Sequence, residues 1–154
     1  MATMIKPIIV IAAFASMEVI AWLTHKFIMH GLLWRLHRDH HKKETYNFFE
    51  KNDFFFLIFA LPGITFLFVG MQYHYNVLFW IGLGITLYGF AYFIVHDVFI
   101  HQRVKIFRNT DNRYFKAIRR AHKTHHKHIG KEHGECFGML WVPLKFFRSL
   151  KNSG

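Results

Sequence analysis

FFFLIFALPGITFLFVGM, the 18 residues from Phe54 to Met71, contains no charge. At 1.5 Å rise per residue, a helix of that length covers ~27 Å, close to the hydrocarbon thickness of a bilayer. Two further stretches have the same character. Pro7 to Thr24 carries one charge, Glu18, and Asn76 to about Ile100 carries His96 and Asp97 near its end. Together they predict an all-α integral membrane bundle with spans at about 7–24, 54–71 and 76–100. A fourth apolar stretch, Cys136 to Phe147, contains Pro143 and Lys145. It is too short to span unaided and reads as an interfacial or re-entrant piece, leaving a fourth pass open. Ala13-Phe14-Ala15 resembles a signal-peptidase site, but the apolar region before it is too short, so the first span is expected to be retained.

The 154 residues are enough for one domain, expected to run over 1–154. The chain is greasy and basic at once, with 19 phenylalanines and a formal charge of +11. In a soluble protein such charge would suggest nucleic acid; here its placement argues for topology instead. Lys26, Arg35, Arg38, Lys42, Lys43 and Lys51 lie between the first two spans, and a longer series from Arg103 through Arg108 to Lys151 follows the third. The short link Gln72 to Tyr75 has no basic residue, and only Lys6 lies elsewhere. Three spans with this asymmetry put the N-terminus outside and both basic regions in the cytoplasm, beside anionic lipid headgroups. The single cysteine, Cys136, excludes an internal disulfide.

The histidines repeat in a fixed order. His25 and His30 are a pair five apart; His37, His40 and His41 follow as a triple. After two membrane passes come the pair His96 and His101 and the triple His122, His125 and His126. The box regions, 25–41 and 96–126, thus form a cytoplasmic histidine-rich cap. Offsets of zero, three and four share one helix face. Around the last triple the stripe is Tyr114, Ile118, Ala121, His122, His125 and His126; around the first it is Leu33, His37, His40 and His41. The pairs sit ~140° apart on an ideal α-helix. They are expected to reach two metals, or one metal from a helix that ends or distorts, which Gly31 permits. Ten clustered imidazoles exceed the needs of one ion, so two ions are expected.

These boxes and spans resemble the bacterial β-carotene hydroxylases within the fatty acid hydroxylase superfamily, over roughly Glu18 to Pro143. Asp97 inside the third box and the Glu135-Cys-Phe-Gly138 segment add to the likeness. The resemblance implies a non-haem di-iron site in a bacterial inner membrane, with O2 as co-substrate and hydroxylation at carbon 3 of an unsubstituted β-ionone ring. It implies that the ten box histidines are iron ligands or their close neighbours. A sterol or fatty acid hydroxylase of the same chemistry is the alternative. A metal transporter fits less well, because its ligands belong near the bilayer midplane. The sequence holds no haem, flavin or iron–sulfur motif. Electrons must then come from a separate protein, such as ferredoxin, on the basic face.

Outside the boxes, Glu18 precedes His25 by seven residues and either orients a ligand or packs as a hydrogen-bonded carboxyl. Asp97 and Asp39 are expected to accept the outer N–H of ligand imidazoles. Phe54, Phe55, Phe56, Phe90, Tyr92 and Phe93 are expected mostly to face lipid or pack. His74 is expected across the membrane from the boxes, and His128 and His133 away from metal. Gly82 and Gly89 are expected to permit close helix packing.

Overall fold

The computed structural model describes residues 2–42, 49–106 and 109–148, and among these every regular element is helical. Lys43, Arg108 and Lys151, part of the charge pattern, lie outside the described residues. Helix α1 (Ala2–Leu23) passes directly into a π-helical segment, Thr24–Leu32, and then into α2 (Trp34–His41). A short 3-10 turn, Lys51–Asp53, opens α3 (Phe54–Gln72). Helix α4 (Val77–Tyr92) continues as a second π-helical segment, Phe93–Ile100; α5 (Arg113–Lys127) and the short α6 (Lys145–Arg148) follow.

Three helical runs are long and apolar enough to cross a bilayer: Met4–Leu32, Lys51–Gln72 and Val77–Ile100. The first is longer than the expected 7–24. Pro7 lies inside α1, in its second turn, and the helix still winds on through His25 to Leu32. The 136–147 stretch is no fourth span; it is irregular up to α6. Ile11, Ile64 and Phe68 are each more than half exposed, at 67%, 58% and 59%. Such side chains lie at no cost against lipid, which is as apolar as they are.

Helix α4 stands between α1 and α3, and two glycines let it approach both. A Cβ on Gly82 would lie 2.6 Å from the Leu67 nitrogen of α3; one on Gly84 would lie 2.6 Å from the Val10 oxygen of α1. Without a hydrophobic force between helices in lipid, close backbone packing of this kind holds the spans together. Met17, Tyr88 and Met139 form the buried apolar core where α1, α4 and the segment after α5 meet. At the opposite end of α3 from the Lys51–Asp53 turn, the backbone reverses through His74 and Tyr75, and Asn76 caps α4 by accepting from the Leu78 N–H. His74 is exposed there, far from the other histidines.

Candidate metal centre

His25, His30 and His96 lie in π-helical segments and His101 caps the second one, and that resolves the pairs' spacing. In a π-helix the backbone bonds run from i to i+5, which brings residues five apart over one another. The His101 N–H donates to the His96 carbonyl at 2.9 Å, and the Leu33 N–H to the Ile28 carbonyl at 2.8 Å. The rings of His25 and His30 are 5.2 Å apart, those of His96 and His101 4.5 Å. The pairs thus point one way without a frayed end, and Gly31 takes the irregular angles that release the chain into α2.

Ring nitrogens converge in two groups, each within 4.8 Å: His25, His30, His37, His41 and His125 in one, and His40, His101, His122 and His126 in the other. His41 stacks on His126 with centroids 4.5 Å apart, so the groups are neighbours. His96 is buried beside the second, stacked against His40 at 4.9 Å and Tyr92 at 4.7 Å. Each half of the chain sends one histidine across. His37 and His41 of α2 enter the first group and His40 the second; His122 and His126 of α5 enter the second and His125 the first.

The outer nitrogens show which way the inner ones face. Nδ1 donates to the Phe137 carbonyl from His25 (2.9 Å), to that of Lys131 from His30 (3.2 Å), to that of His128 from His41 (3.1 Å) and to that of Glu135 from His125 (2.8 Å). His37 donates to the Asn52 side-chain oxygen at 2.6 Å. A neutral imidazole has one N–H, and here it is used outward. The Nε2 atoms therefore meet as lone pairs, at 3.1 Å for His25 with His37, His30 with His41 and His41 with His37. Lone pairs facing at that distance repel unless a cation lies among them. In the second group the Nε2 atoms of His40 and His126 are buried without a partner. Burial, reinforced by neighbouring imidazoles, lowers His41 and His125 to about 3 and His40 and His122 well below their ordinary value. The rings are thereby held in the neutral form that binds metal. Both groups suit metal ions.

Four acceptors in this shell are backbone carbonyls from residues 128–137, which residue types alone did not reveal. The Lys51–Asp53 turn and its neighbour Glu50 were also missed. His40 Nδ1 donates to Glu50 at 2.8 Å, and the Arg103 guanidinium joins Glu50 (3.1 Å), Asp53 (2.7 Å) and Asp97 (3.1 Å). The available signal was a Glu-Lys-Asn-Asp run immediately before an uncharged span on the histidine-bearing side. Burial raises the Glu50 carboxyl above its ordinary range, while Arg103 opposes that. Asp97 lies 3.4 Å from His96 Nδ1. Asp39 takes another partner, accepting from the Lys51 N–H at 2.6 Å and tying α2 to the turn. Glu18 does not reach a histidine either. One of its oxygens accepts from the N–H groups of Met139, Leu140 and Trp141 at 2.9–3.0 Å, the other from the Tyr88 hydroxyl. His128 and His133 enter neither group. Replacing Glu50 by alanine, which leaves the His40 N–H without its acceptor, is expected to weaken metal binding about 10–100-fold, measured as metal per chain. Glu50→Gln, which keeps an acceptor oxygen, should lose less.

The fatty acid hydroxylase family model matches residues 10–143. A β-carotene hydroxylase of Paracoccus sp. (strain PC1) is 41% identical over 151 residues, covering 96% of this chain and 91% of that protein. One from Pantoea ananas is 40% identical over 88% of this chain and 77% of its own length. A chloroplastic β-carotene 3-hydroxylase of Gentiana lutea is 36% identical over 86% of this chain and 42% of its own. No solved structure matches the chain. With its spans, its ten boxed histidines and these relatives, the chain belongs to the fatty acid hydroxylase family, among its β-carotene hydroxylases.

Proposed function

We propose that this chain is a single-domain, non-haem di-iron hydroxylase. It uses O2 to hydroxylate carbon 3 of β-ionone rings, taking β-carotene through β-cryptoxanthin to zeaxanthin. The observation that carries this reading is the set of five neutral imidazoles that direct every N–H outward and every lone pair inward. The names of the relatives supply the substrate. One iron would be held by His25, His30, His37, His41 and His125. The other would be held by His40, His101, His122 and His126, with His96 as the fifth ligand by the correspondence of the two halves. Bound iron would supply the activation of O2 that an unactivated ring C–H bond requires.

The protein's own part is positioning and exclusion of water. Outer carbonyls and carboxylates fix each ring's direction. An apolar cavity lined by Phe55, Phe59, Tyr92 and Met139 reaches His25, His96 and His122. It offers a ring from the bilayer a dry route to the histidines, and the carbon nearest them is selected by how deeply the ring seats. Two electrons per turnover come from a separate donor of the ferredoxin class. Arg35, Arg38, Lys42, Lys123 and Lys127 stand exposed on α2 and α5 or beside them and would attract an acidic partner. Their charge also favours a cytoplasmic position for this end in a bacterial inner membrane.

The test is reconstitution in lipid vesicles with iron, O2, β-carotene and a reduced ferredoxin system. Repeated formation of 3-hydroxylated product is expected with the donor and not without it. β-Carotene left unmodified by fully iron-loaded protein with donor would overturn the reading.

A further inference from the structure

Gly89 is the one α4 glycine whose absent side chain the packing leaves unexplained. Gly82 and Gly84 are each in contact with a neighbouring backbone and leave no room for a Cβ. A Cβ on Gly89 would meet nothing within 4 Å, and its backbone is ordinary helix. Glycine weakens a helix interior relative to alanine, so a position that needs neither close approach nor unusual angles gains nothing from it locally. Gly89 lines the cavity that leads to His25 and His122. Phe56 of α3 lines the same cavity and is 53% exposed, whereas its neighbour Phe55 is buried at 3%. The cavity therefore reaches the lipid-facing surface of the bundle at Phe56, and Gly89 leaves open space in its wall.

We propose that Phe56 and Gly89 form a lateral portal between α3 and α4, through which an apolar ring on a long polyene passes from the bilayer to the histidine groups. The missing side chain at position 89 sets the bulk of the end group admitted. This rests on the carotenoid reading above for the identity of the ligand, but not for the existence of the opening. Four of the polar side chains on this wall are engaged: Asn52 with His37, Asp53 and Asp97 with Arg103, and the Tyr88 hydroxyl with Glu18.

The experiment compares Gly89→Ala, Gly89→Phe and the double variant Gly89→Phe with Phe56→Ala in iron-loaded vesicles. Gly89→Ala should slow β-carotene hydroxylation several-fold and melt no lower, because its methyl enters the opening and not the helix packing. Gly89→Phe should lose at least about tenfold with unchanged iron per chain, and trimming Phe56 should restore much of the rate. Wild-type turnover in Gly89→Phe, or no recovery in the double variant, would overturn the portal. A thiol introduced by Gly89→Cys gives a reading that needs no turnover. A membrane-soluble thiol reagent should modify it, read by mass spectrometry of the peptide, and β-carotene should slow that modification. An unreactive thiol overturns the portal. A reactive thiol in a protein that leaves β-carotene unmodified overturns the carotenoid reading and leaves the portal standing.

Discussion

Alanine at His125 should abolish hydroxylation: product per membrane-inserted chain falls by at least about a hundredfold, with iron per chain falling alongside it. The ring lies wholly inside, with Nδ1 tied to the Glu135 carbonyl and Nε2 3.2 Å from that of His30. Removing it deletes a donor and opens a cavity among four further imidazoles, leaving an incomplete ligand set for the ion they would share. His40→Ala should act as strongly, through the other group. Asp97→Asn should fall between these and wild type, because it weakens one orienting contact and removes no ligand. His74→Ala is the control: exposed in the turn at the far end of the bundle, it should change activity by less than about twofold. Normal product and iron in His125→Ala, or equal loss at His74, would sink the assignment.

Glu18→Leu should be nearly as damaging, although Glu18 touches no histidine. It removes the common acceptor of three backbone N–H groups at Met139, Leu140 and Trp141, and the partner of the Tyr88 hydroxyl. Each backbone group left unpaired at membrane depth costs several kcal/mol. The segment it anchors holds Phe137 and Glu135, whose carbonyls orient His25 and His125. Iron content should therefore fall at least about tenfold, as it does when outer partners of ligands are lost. Glu18→Gln keeps an oxygen in place and should retain most of the activity. Full iron loading in Glu18→Leu, measured on purified protein, would show that the segment holds its position without this anchor.

The triples were legible because offsets of three and four follow the α-helix, and the spans because charge is absent over bilayer length. For the pairs, the sequence left two alternatives open; the chain takes the distorted helix, with His25 and His30 in one group, but the π-helical form of that distortion leaves no mark in residue types. Backbone carbonyls at His128, Lys131, Glu135 and Phe137 carry no residue-specific signal, so these four orienting partners could not be read from side-chain types. Asp39 looked like a histidine partner from its position inside a box, yet it faces the turn and accepts from Lys51. Gly89 looked like a packing glycine because it shares a face with Gly82; only the distances to neighbouring atoms separate the two.

The exchange of His40 and His125 between the two groups makes the halves of the polypeptide interdependent. A nascent chain that has delivered its first span and α2 owns four members of one site and one of the other, and can finish neither. Each site closes only when α5 has been synthesised and folded back against α2. Assembly of a complete site is thereby delayed until the bundle exists around it, so a truncated or half-inserted product lacks the finished ligand set of either group.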